Sequence, residues 1–298
     1  MKILRLVLFV SVVFCQSAQA QTYAFKVLIN KGKNEVKSGS SWQAVKVGGS
    51  LQTADEIRVA ENSYIGLVHA SGKPIEIKQP GNYRVADLAG KVNGGSTVLN
   101  KYTDFILSTN DKKRGMAVTG AQHRGTEVTA DLPLSKGSPV LIYNPEVIVA
   151  WEKSEKFPAP YIVRFTNMFG DELFKQEVST TTFTVNLEDA RFAKESNVLV
   201  QVLSKTDKTK ATEEYSLRRV AKAERERIKS SLAEIAKQTS EPTALNKFIL
   251  AGFYEQNNLL IDAVTAYQEA MKLAPDVATY REEYEAFLIR TNIRTPQK

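Results

Sequence analysis

Cysteine is almost missing from this chain. Its 298 residues hold one, Cys15, and only two histidines. Cys15 lies in an apolar N-terminal run, so a chain that sheds this run can form no disulfide, thiolate metal site or cysteine nucleophile. His69 and His123 are too few and too far apart in sequence to suggest a zinc site. There is no H-E-x-x-H, no P-loop, no dinucleotide fingerprint and no G-x-S-x-G elbow. Apolar runs of membrane-spanning length, about 20 residues, are also lacking. These gaps argue against an enzyme, a cofactor or a metal, and toward a chain that works by non-covalent binding. Paired carboxylates keep no fixed spacing, so a hydrolase stays as the lesser alternative.

The chain begins "MKILRLVLFVSVVFCQSAQA". Lys2 and Arg5 are followed by an apolar run from Ile3 to Cys15, and "AQA" places small residues at −1 and −3. This is the pattern of a cleavable secretory leader, with cleavage expected after Ala20. The expected destination is the periplasm or another exported location, with no membrane anchor left after cleavage. The net charge of +7 loses Lys2 and Arg5 with the leader, which leaves +5. That modest excess fits weak attraction to anionic envelope polymers. Nucleic acid is not expected as a partner outside the cytoplasm.

Three regimes follow. From Thr22 to about Leu88, short alternating runs such as "EIRVA", "YIGLVHA" and "IEIK" are broken by "VGGS", "ASGKP" and "QPGN". This reads as a small all-β domain over 21–95, with a hairpin turning at Ser71-Gly72. Residues 96–139 read as one amphipathic helix carrying Val98, Leu99, Tyr102, Phe105 and Ile106, packed on a sheet. Ser96 is its expected N-cap, and a basic, glycine-rich loop follows it. From 140 to 216 alternation returns in about six strands, with "MFGDE" at a hairpin tip and Trp151 near the end of the first strand. From 217 to 298 the pattern is helical. Ser240 or Thr239 is the expected cap of one helix and Asp276 of the last, with Pro242 in a first turn and Pro275 as a stop.

Resemblances sharpen this outline. "VKSGSSWQAVKVGGSLQTADEIRVAENSYIGLVHASGKPIEIKQPGNYRV" resembles the extracytoplasmic domain of FecR-like proteins, through Trp42, Gly48-Gly49, Leu51, Thr53, Asp55, Ile57, Gly66 and Gly72. That resemblance implies a β module in a Gram-negative envelope. Residues 140–216 resemble an immunoglobulin or fibronectin III sandwich. Leu250, Ala251, Tyr254, Ala263, Tyr267, Ala270 and Pro275 match the tetratricopeptide pattern, in which small residues let two helices touch and aromatics fill the groove. Lys247 stands where that pattern has tryptophan. One such unit cannot bury both faces, so flanking helices at about 217–238 and 277–291 are expected to cover it in a four-helix bundle.

The expected fold is thus two small β domains followed by a helical bundle. The expected function is that of a protein-binding adaptor or scaffold among envelope proteins. The alternative is a module for peptidoglycan or surface polysaccharide, presenting Trp42 or Tyr64. Candidate partner contacts are Lys112, Lys113, Arg114, His123 and Arg124 in the basic loop, and Tyr254, Tyr267 and Tyr280 on the helices. The loop's cations suit carboxylate or phosphate groups.

Overall fold

The computed structural model describes residues 23–93, 98–115, 139–151, 157–207, 209–239, 241–291 and 293. The leader-like segment 1–20 and the loop beyond Gly115 lie outside the described residues.

The first part holds eight strands: β1 (Phe25–Lys31), β2 (Glu35–Ser38), β3 (Ser41–Ala44), β4 (Ser50–Leu51), β5 (Glu56–Val59), β6 (Tyr64–His69), β7 (Pro74–Ile77) and β8 (Gly81–Arg84). A short helix, α1 (Val85–Gly90), follows. The strands form two antiparallel four-stranded sheets, ordered β4-β1-β6-β7 and β3-β2-β5-β8. Phe25, Val27, Ile57, Val59, Ile65 and Leu67 fill the space between them. The opposite face of the first sheet is apolar too. Tyr64 and Val68 alternate with Ile65 and Leu67 and join a separate core with the helices. This is why "YIGLVH" is apolar at nearly every position: β6 is buried on both faces. A register shift between Val27 and Ile29 lets both Leu28 and Ile29 face the helices.

Helix α2 (Val98–Gly115) buries Leu99, Tyr102 and Ile106. It runs through Asp111 and Arg114, which the sequence reading placed in the loop. Lysine and arginine are good helix formers, so the helix persists until Gly115. Its apolar stripe meets helices as well as the first sheet.

Seven strands follow: β9 (Val140–Ile142), β10 (Glu146–Ala150), β11 (Tyr161–Thr166), β12 (Glu172–Val178), β13 (Thr182–Asn186), β14 (Asn197–Ser204) and β15 (Tyr215–Arg219). They form a sheet ordered β12-β11-β14-β15-β9 and a pair β10-β13, which share one core. All pairings are antiparallel except β15 with β9. Trp151 is buried, edge-on to Tyr161 at 5.3 Å. Leu217 belongs to β15, so helix begins at Lys222 rather than at 217.

The helical end comprises α3 (Lys222–Ala236), α4 (Ala244–Gln256), α5 (Leu260–Leu273) and α6 (Ala278–Arg290). Ala251, Ala263 and Ala270 are fully buried, which lets α4 and α5 pack closely. On the far side, Tyr267 meets Phe287 of α6 at 5.1 Å and Tyr284 at 5.8 Å. Two expected caps are corrected. Thr243, whose hydroxyl accepts the Asn246 N–H, caps α4, and Pro242 precedes that helix. Val277 occupies the N-cap of α6, while Asp276 pairs with Lys31 at 2.6 Å.

The helices pack on both β parts and hold them together. Gly252 of α4 lets α2 approach so closely that a methyl there would lie 2.7 Å from Ile106. A methyl at Gly66 of β6 would lie 2.9 Å from Leu245 of α4. At the other end, Asp262 of α5 accepts the backbone N–H groups of Tyr143 and Asn144, in the turn between β9 and β10, at 2.9 Å each.

Candidate functional site

The three helical tyrosines proposed as partner contacts lie inside the molecule. Tyr254 accepts from the Asn144 amide at 3.1 Å and so ties α4 to the β9–β10 turn. Burial pushes its hydroxyl up to about 12. Tyr267 donates to Glu255, which also takes two charge-assisted bonds from Arg290. Tyr280 shares a 2.7 Å hydrogen bond with Tyr64 across the joint between α6 and β6. The sequence reading is corrected here: aromatic positions of the repeat face the chain's own β sheets and helices. Lys112, Lys113 and Arg114 fall in the last turn of α2, and His123 and Arg124 lie outside the described residues.

The two aromatics offered for glycan stacking fare unevenly. Tyr64 is buried. Trp42 is partly exposed, but the Arg58 guanidinium lies 3.9 Å from its ring centre and Lys37 sits at 5.9 Å. Cation–π contact already occupies the indole, so a sugar would have to displace it.

Among the described residues, a surface feature that can take a ligand surrounds β7. This strand pairs with β6 on one side and, among the described residues, with no strand on the other. The hairpin closes through His69 N–H to Lys73 O at 2.8 Å, with Gly72 at φ +91°. Alternation in the antiparallel ladder then points the backbone groups of Pro74 and Glu76 outward. Pro74 has no N–H to leave unpaired, which suits an edge. The outward groups on offer are the Pro74 carbonyl and the N–H and C=O of Glu76.

A hollow lies on each face of this edge. On the helix side, Pro74, Glu76, Lys78, Gln238, Glu241 and Asn246 line a polar one of about 490 Å³. On the other side, Ile75, Ile77, Tyr83, Leu88 and Val92 line an apolar one of about 290 Å³, rimmed by Lys73, Lys78 and Lys91. The two share Lys73, Ile75, Glu76, Lys78 and Gln79.

Glu76 holds the site to the helices. Its carboxylate accepts the Leu245 N–H at 2.8 Å, at the start of α4, and pairs with Lys78 at 2.7 Å. A carboxylate at a helix N-terminus is favoured by the helix dipole and by the free amides there. Burial pushes its carboxyl up, but Lys78, the Leu245 amide and the Tyr64 hydroxyl outweigh burial and hold it below the ordinary range. The strand is therefore fixed in place before any ligand arrives. Side chains of an added strand would alternate between the two hollows, because successive residues point to opposite faces.

Comparison with protein-family models and with curated proteins finds no match to this chain. Among the described residues, no helix is long and apolar enough to cross a membrane.

Proposed function

We propose that this chain is a non-catalytic, exported protein of a bacterial cell envelope that binds other proteins as an adaptor or scaffold. One observation carries this reading: a strand edge, β7, that no strand among the described residues pairs, with a polar hollow on one face and an apolar hollow on the other. An extended segment added to such an edge gains affinity from main-chain hydrogen bonds and specificity from side chains entering alternate pockets. Pro74 and the flanking lysines guard the edge against arbitrary strands, so a partner must bring matching charge. Export is supported by the leader-like residues from Lys2 to Ala20. An envelope setting is supported by the FecR-like positions, of which Gly66 and Gly72 have a packing and a turn role here.

The finer fold assignments belong to the same reading. The parallel β15–β9 pairing beside the β10–β13 pair supports an immunoglobulin-type sandwich. The alanine contact between α4 and α5, stacked on α6, supports a tetratricopeptide-type unit.

The test is site-specific photo-crosslinking in the native envelope. A crosslinker at Gln79 or Lys91 should capture one discrete protein, and the same group at Glu188 should not. Capture of wall polymer instead, or equal capture from all three positions, would replace this reading with the glycan one or with none.

A further inference from the structure

The most exposed large apolar side chain among the described residues is Phe169, at 91 %, and Met168 beside it is 56 % exposed. They form the tip of the β11–β12 hairpin. The tip is rigid. The Asn167 side chain is buried beneath it, accepting the N–H groups of Phe169 and Asp171 and donating to the Asp171 carboxylate. The Asn167 backbone closes the turn with Asp171 and Gly170, the latter at φ +89°. Such a tip loses little freedom on binding. Two acids, Asp171 and Glu172, follow the aromatic.

The apolar hollow beside β7 has the opposite character: an Ile75, Ile77, Leu88 and Val92 lining within a lysine rim. We propose that the β11–β12 tip of one copy seats Phe169 in the β7 hollow of a second copy, so that the chain associates head to tail. This rests on β7 being a docking surface, as argued above, and names its occupant. The charge signs match: Asp171 at the tip meets Lys73 and Lys91 at the rim, while Lys78 is held by Glu76 and Glu172 by Lys175. Tip and hollow are different surfaces of one molecule, so the contact is heterologous and gives chains or rings rather than a two-fold dimer.

Sedimentation velocity of the purified chain over a concentration series tests this. The weight-average sedimentation coefficient should rise with concentration, and less steeply at high salt, which screens the rim. Phe169→Ser should weaken association at least about tenfold, as expected of an aromatic anchor. Leu88→Glu should do the same, with the exposed Lys91→Glu as a variant that leaves the core untouched. Mixing the Phe169→Ser and Lys91→Glu chains should restore association, but only to dimers, since each supplies the surface the other lacks. A coefficient independent of concentration, or one that Phe169→Ser leaves unchanged, overturns the proposal. If crosslinks from Gln79 still capture another protein in that case, the docking reading stands and only the self-association fails.

Discussion

Asp262 joins the helical part to the second β part, and its titration should be visible in the stability of the whole chain. It is 2 % exposed, and its carboxylate accepts two backbone N–H groups from the β9–β10 turn. Arg225 lies near and donates to the Tyr143 carbonyl at 3.0 Å. Burial is the larger influence and pushes the carboxyl from 3.8 up to about 6. That gap corresponds to ~3 kcal/mol by which folding disfavours the ionised form. Between about pH 4 and 6 the folded state holds more protons than the unfolded state. The contribution of Asp262 is therefore greatest below pH 4, falls as pH rises to about 6, and is level above. Asp262→Asn removes the charge and keeps one carbonyl oxygen for the two N–H groups, as the protonated wild-type carboxyl also does. At pH 4, where both side chains are neutral, the two chains should lie within about 1 kcal/mol of each other. At pH 7 the wild type carries a buried charge that the variant lacks, so the variant should gain on the wild type by up to ~3 kcal/mol relative to pH 4. Urea unfolding at both pH values, followed by tryptophan fluorescence and far-ultraviolet circular dichroism, gives the two differences. The other titrating groups are common to both chains and cancel. Stability curves that run parallel from pH 4 to 7 would refute the reasoning.

Other perturbations test the same joints. Gly252→Val should destabilise by about 1–3 kcal/mol through overpacking against Ile106, and Ile106→Ala should relieve part of that, which a double-mutant cycle measures. Tyr280→Phe removes one of the two partners of the buried Tyr64 hydroxyl and leaves it Glu76, so it should cost about 0.5–1.5 kcal/mol, and Tyr64→Phe added to it should cost less than the sum. Glu255→Gln removes the Arg290 ion pair but leaves its bond to the Tyr267 hydroxyl, and thermal unfolding should report a loss of about 1–3 kcal/mol. Thr243→Ala removes the α4 cap, and denaturant midpoints should show a loss of about 1 kcal/mol.

Much of the β framework could be read from local pattern. The Ser71-Gly72 hairpin, the "MFGDE" tip and the inward set Val198, Val200 and Val202 depend on neighbours in sequence, and each stands in the structure. The end of α2 and the cap of α4 were local misreadings; the other errors depended on contacts distant in the chain. Asp276 looked like a cap until Lys31 claimed it. Val140–Ile142 is too short to signal a strand alone and exists through its parallel pairing with β15. Tyr254, Tyr267 and Tyr280 carried the right signal, aromatics awaiting a stacking surface; α6 covers Tyr267 as the flanking-helix reading expected, but nothing local showed that β6 and the β9–β10 turn would engage Tyr280 and Tyr254. The β7 site was legible only as the strand "IEIK". Its edge position follows from sheet order, and its hollows from where α1 and α4 come to rest.

Those shared surfaces change what the modular layout means. A helical end that merely followed two β domains could be removed without harm to them. Here the first sheet presents Leu28, Ile29, Tyr64 and Val68 to the helices, and these residues share one buried core with Leu245, Phe248 and Tyr280. Removing residues 241–298 would expose that apolar face, and at about 25 cal/mol per Å² its cost would fall on the β part itself. It would also take away the Leu245 amide that holds the Glu76 carboxylate, and with it one wall of the polar hollow beside β7. Loss of partner binding after such a truncation would report collapse of the β7 edge as readily as loss of a helical docking surface. Substitutions at exposed positions, Lys91 on the rim and Phe169 at the tip, separate the two because neither side chain supports the shared core.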